Sequence, residues 1–381
     1  MNLRRAGVFL LLGLSLLGCS KDKDLRKPTE LKDIANPALK ANVQWSGSAG
    51  NGSDMQYTGL RMALAPDALF AADVGGDVFA LDAKSGQRIW RSETNARIAS
   101  GPSLNGNAVL IGTLDGEVIA LKRADGRELW RTKLSSEVQA APAGDGNILV
   151  IKTIDGRIQG LSADKGQKLW TLDRSVPNLT LRGLSEALVV GDRAFVGMDN
   201  GRLMALHLAD GSAIWEQGVS FGTGRTELER LTDIDADLLI NDKDIYAVSY
   251  GGEMACLDTE TGQVAWRRSV RSYTGMAIIG EQIIVTDENG VVWAFDAKTG
   301  AATWKQEGLL YRKLSPPTAY AGRVVVGDFE GYLHWLDPKD GKIIARSKPT
   351  SEPIRAEMVV ANDLLYVMDA DGGINAISVK R

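Results

Sequence analysis

Hydrophobic residues in this chain recur in one repeated phrase. Each copy begins with a glycine, continues with an apolar run such as Val118-Ile119-Ala120-Leu121, turns at a second glycine and ends at a tryptophan. Fourteen positions separate the first glycine from the tryptophan in six copies: Gly76 to Trp90, Gly116 to Trp130, Gly156 to Trp170, Gly201 to Trp215, Gly252 to Trp266 and Gly290 to Trp304. A fixed internal period indicates a chain built from one supersecondary unit.

The repeat has the length and turn signals of a four-stranded propeller blade. Successive tryptophans of these copies are 40, 40, 45, 51 and 38 residues apart, which is the period typical of such blades. In one copy, Asp115-Gly116 is a hairpin signal, and strands are predicted around residues 98–104, 109–113, 117–122 and 128–133. Runs that are apolar at successive positions favour strands covered on both faces.

The last two copies indicate how the ring closes. The seventh, Gly331 to Ala345, lacks the final tryptophan, and the eighth begins at Gly373 and reaches the end of the sequence before its outer strand. An open sheet would leave backbone groups unpaired. Trp45 precedes Trp90 by one period, so residues 42–45 are predicted to supply the missing strand. The prediction is an all-β, eight-bladed β-propeller of four-stranded antiparallel blades over residues 41–381, closed by the N-terminal strand, with seven blades as the alternative.

The N-terminus has the pattern of an export signal. Arg4 and Arg5 precede an apolar run over residues 6–17, which is shorter than the roughly 20 residues that a membrane-spanning helix needs. A signal peptide is therefore predicted over residues 1–18. The ending Leu16-Leu17-Gly18-Cys19 resembles the bacterial lipobox, which implies a lipidated Cys19. The alternative is an ordinary cleaved signal with an incidental cysteine.

The next segment is predicted to be a tether. Charges alternate in sign after Ser20, and Pro28 and Pro37 disfavour a continuous helix, so residues 19–40 are interpreted as the lipidated cysteine and a flexible linker. The alternative is a short amphipathic helix around Leu31 to Leu39. Ser20, which follows the cysteine, resembles an outer-membrane sorting signal.

Composition and motifs give no indication of catalysis. Lys and Arg number 44 against 48 Asp and Glu, for a net charge of -4, so nucleic acid is not an expected partner. His207 and His334 lie in predicted strands and are interpreted as packing residues, and Cys256 in an apolar run as a buried small hydrophobe. Acidic residues recur at one repeat position and are interpreted as turn residues rather than calcium ligands: Asp82, Asp258, Asp296 and Asp337. No catalytic, cofactor-binding or metal-binding residue is predicted.

The repeat resembles the PQQ-like repeat, and its combination with a lipobox and a tether resembles the BamB family of lipoproteins. The resemblance implies a non-catalytic scaffold, lipid-anchored at the periplasmic face of the outer membrane. It also implies binding to BamA within the β-barrel assembly complex, and a role in folding and inserting outer-membrane proteins. The alternatives are a periplasmic PQQ-dependent dehydrogenase-like protein and a sugar- or envelope-sensing propeller. The dehydrogenase is disfavoured because the chain has no Cys-Cys pair and is shorter than such enzymes.

Two interruptions of the repeat are the candidate partner site, since insertions in repeat proteins map to loops. They are residues 177–183 and the long gap between Trp215 and Trp266. The resemblance implies that BamA contacts five residues there: Leu179, Leu181, Arg182, Asp233 and Asp235. The residues themselves leave other interpretations open, namely leucines in the core, Arg182 paired inside the propeller and a solvated loop. Direct binding of unfolded precursors by strand addition is a further hypothesis.

Overall fold

Eight antiparallel sheets form a closed ring in the computed structural model, which describes residues 26–54, 56, 58–177, 179–181, 185–222 and 225–380. Each blade places a short inner strand at the axis and a tryptophan-bearing or equivalent strand at the outer edge. The eight blades and their four-stranded antiparallel order confirm the predicted fold class.

The described residues form 33 strands and one short 3-10 helix, Leu228–Arg230. Blade 1 comprises β3 (Ala63–Leu64), β4 (Ala68–Ala72), β5 (Asp77–Asp82) and β6 (Arg88–Glu93), and blade 2 comprises β7 (Ile98–Asn105), β8 (Ala108–Thr113), β9 (Glu117–Lys122) and β10 (Glu128–Lys133). Blade 3 comprises β11 (Ala143–Gly144), β12 (Ile148–Lys152), β13 (Arg157–Ser162) and β14 (Lys168–Asp173). Blade 4 comprises β15 (Leu188–Val190), β16 (Arg193–Gly197), β17 (Arg202–His207) and β18 (Ala213–Gly218).

Blade 5 comprises β19 (Leu239–Asn241), β20 (Asp244–Val248), β21 (Glu253–Asp258) and β22 (Val264–Ser269), and blade 6 comprises β23 (Met276–Ile279), β24 (Gln282–Thr286), β25 (Val292–Asp296) and β26 (Ala302–Gln306). Blade 7 comprises β27 (Thr318–Tyr320), β28 (Arg323–Gly327), β29 (Leu333–Leu336) and β30 (Ile343–Ser347). Blade 8 comprises β31 (Val359–Ala361), β32 (Leu364–Met368) and β33 (Gly373–Lys380) with β1 (Lys40–Ser48). The remaining strand, β2 (Gly59–Leu60), adds to blade 2 parallel to β7.

Ring closure follows the prediction from the sequence. Strand β1 pairs antiparallel with β33 along its whole length, from Lys40 opposite Lys380 to Ser48 opposite Gly373. The N-terminal strand therefore supplies the outer edge of blade 8, and the pairing satisfies the backbone groups that the last copy of the repeat would otherwise expose.

The repeated tryptophan and glycine contact each other between blades. The indole N–H of Trp90 donates to Arg123 O in the next blade at 3.0 Å, and a Cβ on Gly126 would lie 2.6 Å from the same ring. Gly126 also has a φ of +72°, so both its conformation and its surroundings favour glycine. We call this the Trp–Gly contact. It recurs for seven tryptophans: Trp45, Trp90, Trp130, Trp170, Trp215, Trp266 and Trp304.

Blade 7 lacks a Trp–Gly contact for a topological reason. Its outer strand carries Ala345, and blade 8 has no hairpin turn before its outer strand, because that strand comes from the other end of the chain. In blade 7 the tryptophan instead lies on the neighbouring strand β29, where Trp335 is opposite Ala345 and is fully buried. In the other blades a small residue faces the tryptophan, such as Ala120 opposite Trp130.

Each outer strand has a β-bulge at the residue preceding the tryptophan or its equivalent. In blade 2, Glu128 pairs with Leu121 and Trp130 with Ala120, so Leu129 is the extra residue. We call this position the rim position. In blades 1 to 8 it is occupied by Ile89, Leu129, Leu169, Ile214, Ala265, Thr303, Ile344 and Gln44.

The segment before β1 lies against blade 7, whereas the sequence predicts a flexible tether there. The amide N–H groups of Thr29 and Ala38 donate to Leu310 O at 3.0 Å and Ile344 O at 2.9 Å. The guanidinium of Arg346 donates to Lys32 O at 2.9 Å. We call residues 29–39 the N-terminal strap. Its docking shows that the second half of the predicted tether is attached to the propeller.

The strap also buries apolar side chains at two blade junctions. Leu31 packs against the cluster between blades 6 and 7, and Leu39 against the cluster between blades 7 and 8. The predicted signal peptide, residues 1–18, and the first seven residues of the predicted tether, 19–25, lie outside the described residues. Within the described ranges, no helix is long and apolar enough to span a membrane.

Candidate partner-binding site

Two inter-blade loops lie side by side on one face of the propeller. They are residues 174–187, between β14 and β15, and residues 219–238, between β18 and β19. Two hydrogen bonds join them: the Leu181 N–H donates to Asp233 Oδ1 at 3.0 Å, and the Glu186 N–H donates to Asp237 Oδ1 at 2.8 Å. The two interruptions of the repeat, which are about fifty residues apart in sequence, therefore form one structural unit.

The two predicted leucines occupy different environments. Leu179 is 44% exposed, whereas Leu181 is half-buried and its backbone is held by Asp233. Leu179 is thus available to a partner, and Leu181 fixes the segment that presents it.

Asp233 and Asp235, which the family resemblance assigns to the contact surface, are both buried in this structure, and their contact with a partner stays a prediction. Their exposed fractions are 0% and 5%. Ile234, between them, is also fully buried and packs against Gly197, where a Cβ would lie 2.6 Å from the isoleucine side chain. Asp233 accepts the Leu181 N–H and so joins the two loops.

Burial makes both aspartates difficult to ionise. It raises the pKa of Asp233 to about 6, although the hydrogen bond from Leu181 opposes this shift. Burial, together with the neighbouring Asp233 charge, raises the pKa of Asp235 to about 7. Lys152 lowers both values, but it is paired with Asp199 at 3.0 Å. Neither oxygen of Asp235 has a hydrogen-bond partner among the described residues.

Two predicted functional residues cannot be placed. Arg182 and Cys19 lie outside the described residues, so the predicted partner contact of the first and lipidation of the second stay predictions.

An arginine near the propeller axis fixes the inner ends of both loops. Arg61 donates to Glu186 Oε2 at 2.6 Å and to Asp237 Oδ2 at 2.8 Å. Burial raises the pKa of Glu186 to about 7, with Arg61 opposing the shift. The sequence does not reveal this ion-pair cluster, because Arg61 precedes Glu186 by 125 residues.

Sequence reasoning also missed an exposed aromatic residue on the second loop. Phe221 is 56% exposed, yet its ring lies against Gly218, where a Cβ would be 2.6 Å away. The Arg267 guanidinium lies 5.7 Å from the ring centroid, within cation–π range. The sequence feature that could have indicated Phe221 is its position near the start of the longest gap between repeats.

Of the other histidine and cysteine side chains, His334 and Cys256 are buried and His207 is exposed. His334 is fully buried, with Nε2 2.8 Å from Asp328 Oδ2 and Nδ1 3.3 Å from Arg346 Nε, and burial lowers its pKa. Cys256 is buried opposite Trp266, and burial raises its thiol pKa to about 12, as expected for an unreactive thiol. His207 is exposed, so its interpretation as a packing residue is wrong. No group of three or more acidic, His or Cys side chains in the described part is arranged to hold a metal ion.

Comparison with known proteins assigns the family. The family model described as outer membrane protein assembly factor BamB matches residues 39–306. The protein of that name from Alkalilimnicola ehrlichii is 47% identical over 374 residues, covering 98% of this chain and 97% of the relative. This chain belongs to the BamB family. The crystal structure of BamB from Moraxella catarrhalis superposes with a TM-score of 0.81 at 28% identity, covering 89% of this chain and 99% of that one.

The BamB fold is shared with enzymes. Quinohemoprotein alcohol dehydrogenase from Comamonas testosteroni superposes with a TM-score of 0.71, covering 88% of this chain and 76% of that one, at 14% identity. Such low identity shows a common propeller and carries no information about activity.

Proposed function

We propose that this protein is a scaffold lipoprotein of the outer-membrane β-barrel assembly complex, which binds BamA and assists the folding and insertion of outer-membrane proteins without catalysing a reaction. Its family relatives are named as assembly factors. Lipid on Cys19 would hold it at the periplasmic face of the outer membrane.

The observation that carries the proposal is an exposed leucine on a fixed loop. Leu179 is accessible, and the Leu181 N–H···Asp233 hydrogen bond holds the adjacent backbone. A preorganised apolar residue costs little conformational entropy when it binds, which is characteristic of interface hot spots. Arg182 would add hydrogen-bond donors to the same surface.

Co-purification of BamA with single variants tests the proposal. We expect Leu179→Glu and Arg182→Glu to lose most of the BamA that the wild-type protein captures, because a carboxylate replaces an apolar or a cationic contact. Val190→Glu is the matched control, since Val190 is similarly exposed at 43% but lies outside both loops.

The outcomes separate the site from the function. Capture by Val190→Glu but not by Leu179→Glu, at equal melting temperature, supports both. Undiminished capture by Leu179→Glu and Arg182→Glu would relocate the site, whereas absence of BamA from the wild-type preparation would overturn the proposed role.

A further inference from the structure

The outer edges of blades 1, 2 and 3 expose a row of equivalent aliphatic side chains. The rim positions there are Ile89, Leu129 and Leu169, which are 51%, 43% and 50% exposed. A β-bulge places each of them at the edge of its sheet. Large aliphatic residues at bulges of edge strands are unusual, because native edges are normally protected from pairing with other chains.

Blade 7 shows what can occupy this position. Its rim residue, Ile344, is half-buried, and its carbonyl accepts a hydrogen bond from the Ala38 N–H of the N-terminal strap. Leu39 of the strap packs against the same hydrophobic cluster as Ile344. An extended segment with an aliphatic residue beside a backbone donor therefore fits the rim position.

The equivalent groups on blades 1 to 3 are unoccupied by any other part of the described chain. No loop or neighbouring blade among those residues donates a hydrogen bond to the carbonyls of Ile89, Leu129 or Leu169. We infer that these three rim positions bind extended aliphatic segments of unfolded polypeptides, in the manner in which blade 7 binds the strap.

The rim positions have the chemistry to bind the strands of outer-membrane barrel proteins before those proteins fold. A backbone N–H and an aliphatic side chain are the only features required, so many sequences qualify. Strands of outer-membrane barrels alternate apolar and polar residues, and identifying the segments with such strands rests on the proposed function. Three weak positions on successive blades would act together through multivalency.

The test uses an outer-membrane barrel protein unfolded in urea, labelled with a fluorophore and diluted into solutions of the full chain. The rim variant carries Ile89→Glu, Leu129→Glu and Leu169→Glu. The control carries the same change at the rim positions of blades 5, 6 and 8, namely Ala265→Glu, Thr303→Glu and Gln44→Glu, so both proteins gain three exposed carboxylates, and Gln44 lies on the closing strand β1.

We expect the rim variant to weaken binding of the unfolded protein by about tenfold or more, because three aliphatic contacts are lost. The control should stay within about twofold of the wild type, with similar melting temperatures for all three. Wild-type-like binding by the rim variant would overturn the inference, as would equal weakening in both variants or no binding by the wild type. BamA co-purification by the rim variant is a separate readout, so a failed proposed function and a failed rim site are distinguishable.

Discussion

Glycine in the repeat is required by the tryptophan of the preceding blade as well as by the turn. Gly126 and Gly106 both have positive φ values, +72° and +57°. They differ in surroundings, because a Cβ on Gly126 would meet the Trp90 ring at 2.6 Å, whereas a Cβ on Gly106 would meet nothing within 4 Å.

This pair separates conformational strain from steric conflict. Gly106→Ala should lower the free energy of unfolding by about 1 kcal/mol through backbone strain alone. Gly126→Ala should lower it by roughly 2–4 kcal/mol, because overpacking adds to the strain. Urea denaturation of both variants measures the difference, and equal losses would contradict the role of the Trp–Gly contact.

Asp235 makes the stability of the protein depend on pH. Its pKa is raised to about 7 in the folded chain, above its value when unfolded, so the folded state binds the proton more tightly. Proton binding by Asp235 therefore stabilises the folded state fully at pH values below the pKa of the unfolded chain. This contribution to the free energy of unfolding is lost as pH rises through about 7.

Removal of the carboxylate should reduce this dependence. At pH 8, Asp235→Asn should raise the free energy of unfolding by about 1–3 kcal/mol relative to wild type, and the gain should shrink towards pH 5. Denaturation at pH 5, 6.5 and 8 provides the measurement. A pH-independent difference would mean that the buried carboxylate is compensated by a cationic partner.

At the scale of elements, Asp233 acts through the loop that it holds. Asp233→Ala removes the acceptor for the Leu181 N–H and should reduce BamA capture about tenfold by loosening the loop that presents Leu179. Asp233→Asn retains a carbonyl acceptor, so it should restore most of the capture.

The comparison of these two variants identifies a positioning role. If the asparagine variant is as defective as the alanine variant while both melt at similar temperatures, the negative charge itself is needed and the hydrogen bond is not the explanation.

The elements that the sequence predicted are those that follow from the repeat itself, either within one copy or from the strand that the last copy lacks. The tryptophan spacing predicted the blades, and the absence of an outer strand after Gly373 predicted closure by residues near Trp45, because each depends on pairing between neighbouring strands. The burial of Asp233 and Asp235 could not be predicted, since their loop is joined to a second loop about fifty residues away in the sequence. Docking of the strap was missed because Pro28 and Pro37 indicate only the absence of a helix, and its partners Leu310, Arg346 and Ile344 are about 300 residues away.

For the whole molecule, β1 determines whether the ring is closed. A non-lipidated chain starting at Lys40 keeps β1 and loses only the strap, whereas one starting at Ala49 also loses the pairing with β33 and the buried Trp45. Loss of that tryptophan alone is expected to cost about 3–5 kcal/mol, and the uncovered edge of β33 favours association with other chains.

Size-exclusion chromatography and thermal melting of the two chains provide the comparison. The chain from Lys40 should remain monomeric with a melting temperature within about 5 °C of the strap-containing form. The chain from Ala49 should aggregate or melt far lower; a stable monomer would show that blade 8 is complete without β1.

The strap also determines how the molecule responds to mechanical load. Any pull on the N-terminus reaches the contacts of Thr29, Lys32 and Ala38 along blade 7 before it reaches Lys40, the first residue of β1. These contacts are few and separate, so they can break one at a time while β1 stays paired with β33. In the described part of the chain, tension applied from the N-terminal side would therefore load the strap contacts before the pairing of β1 with β33.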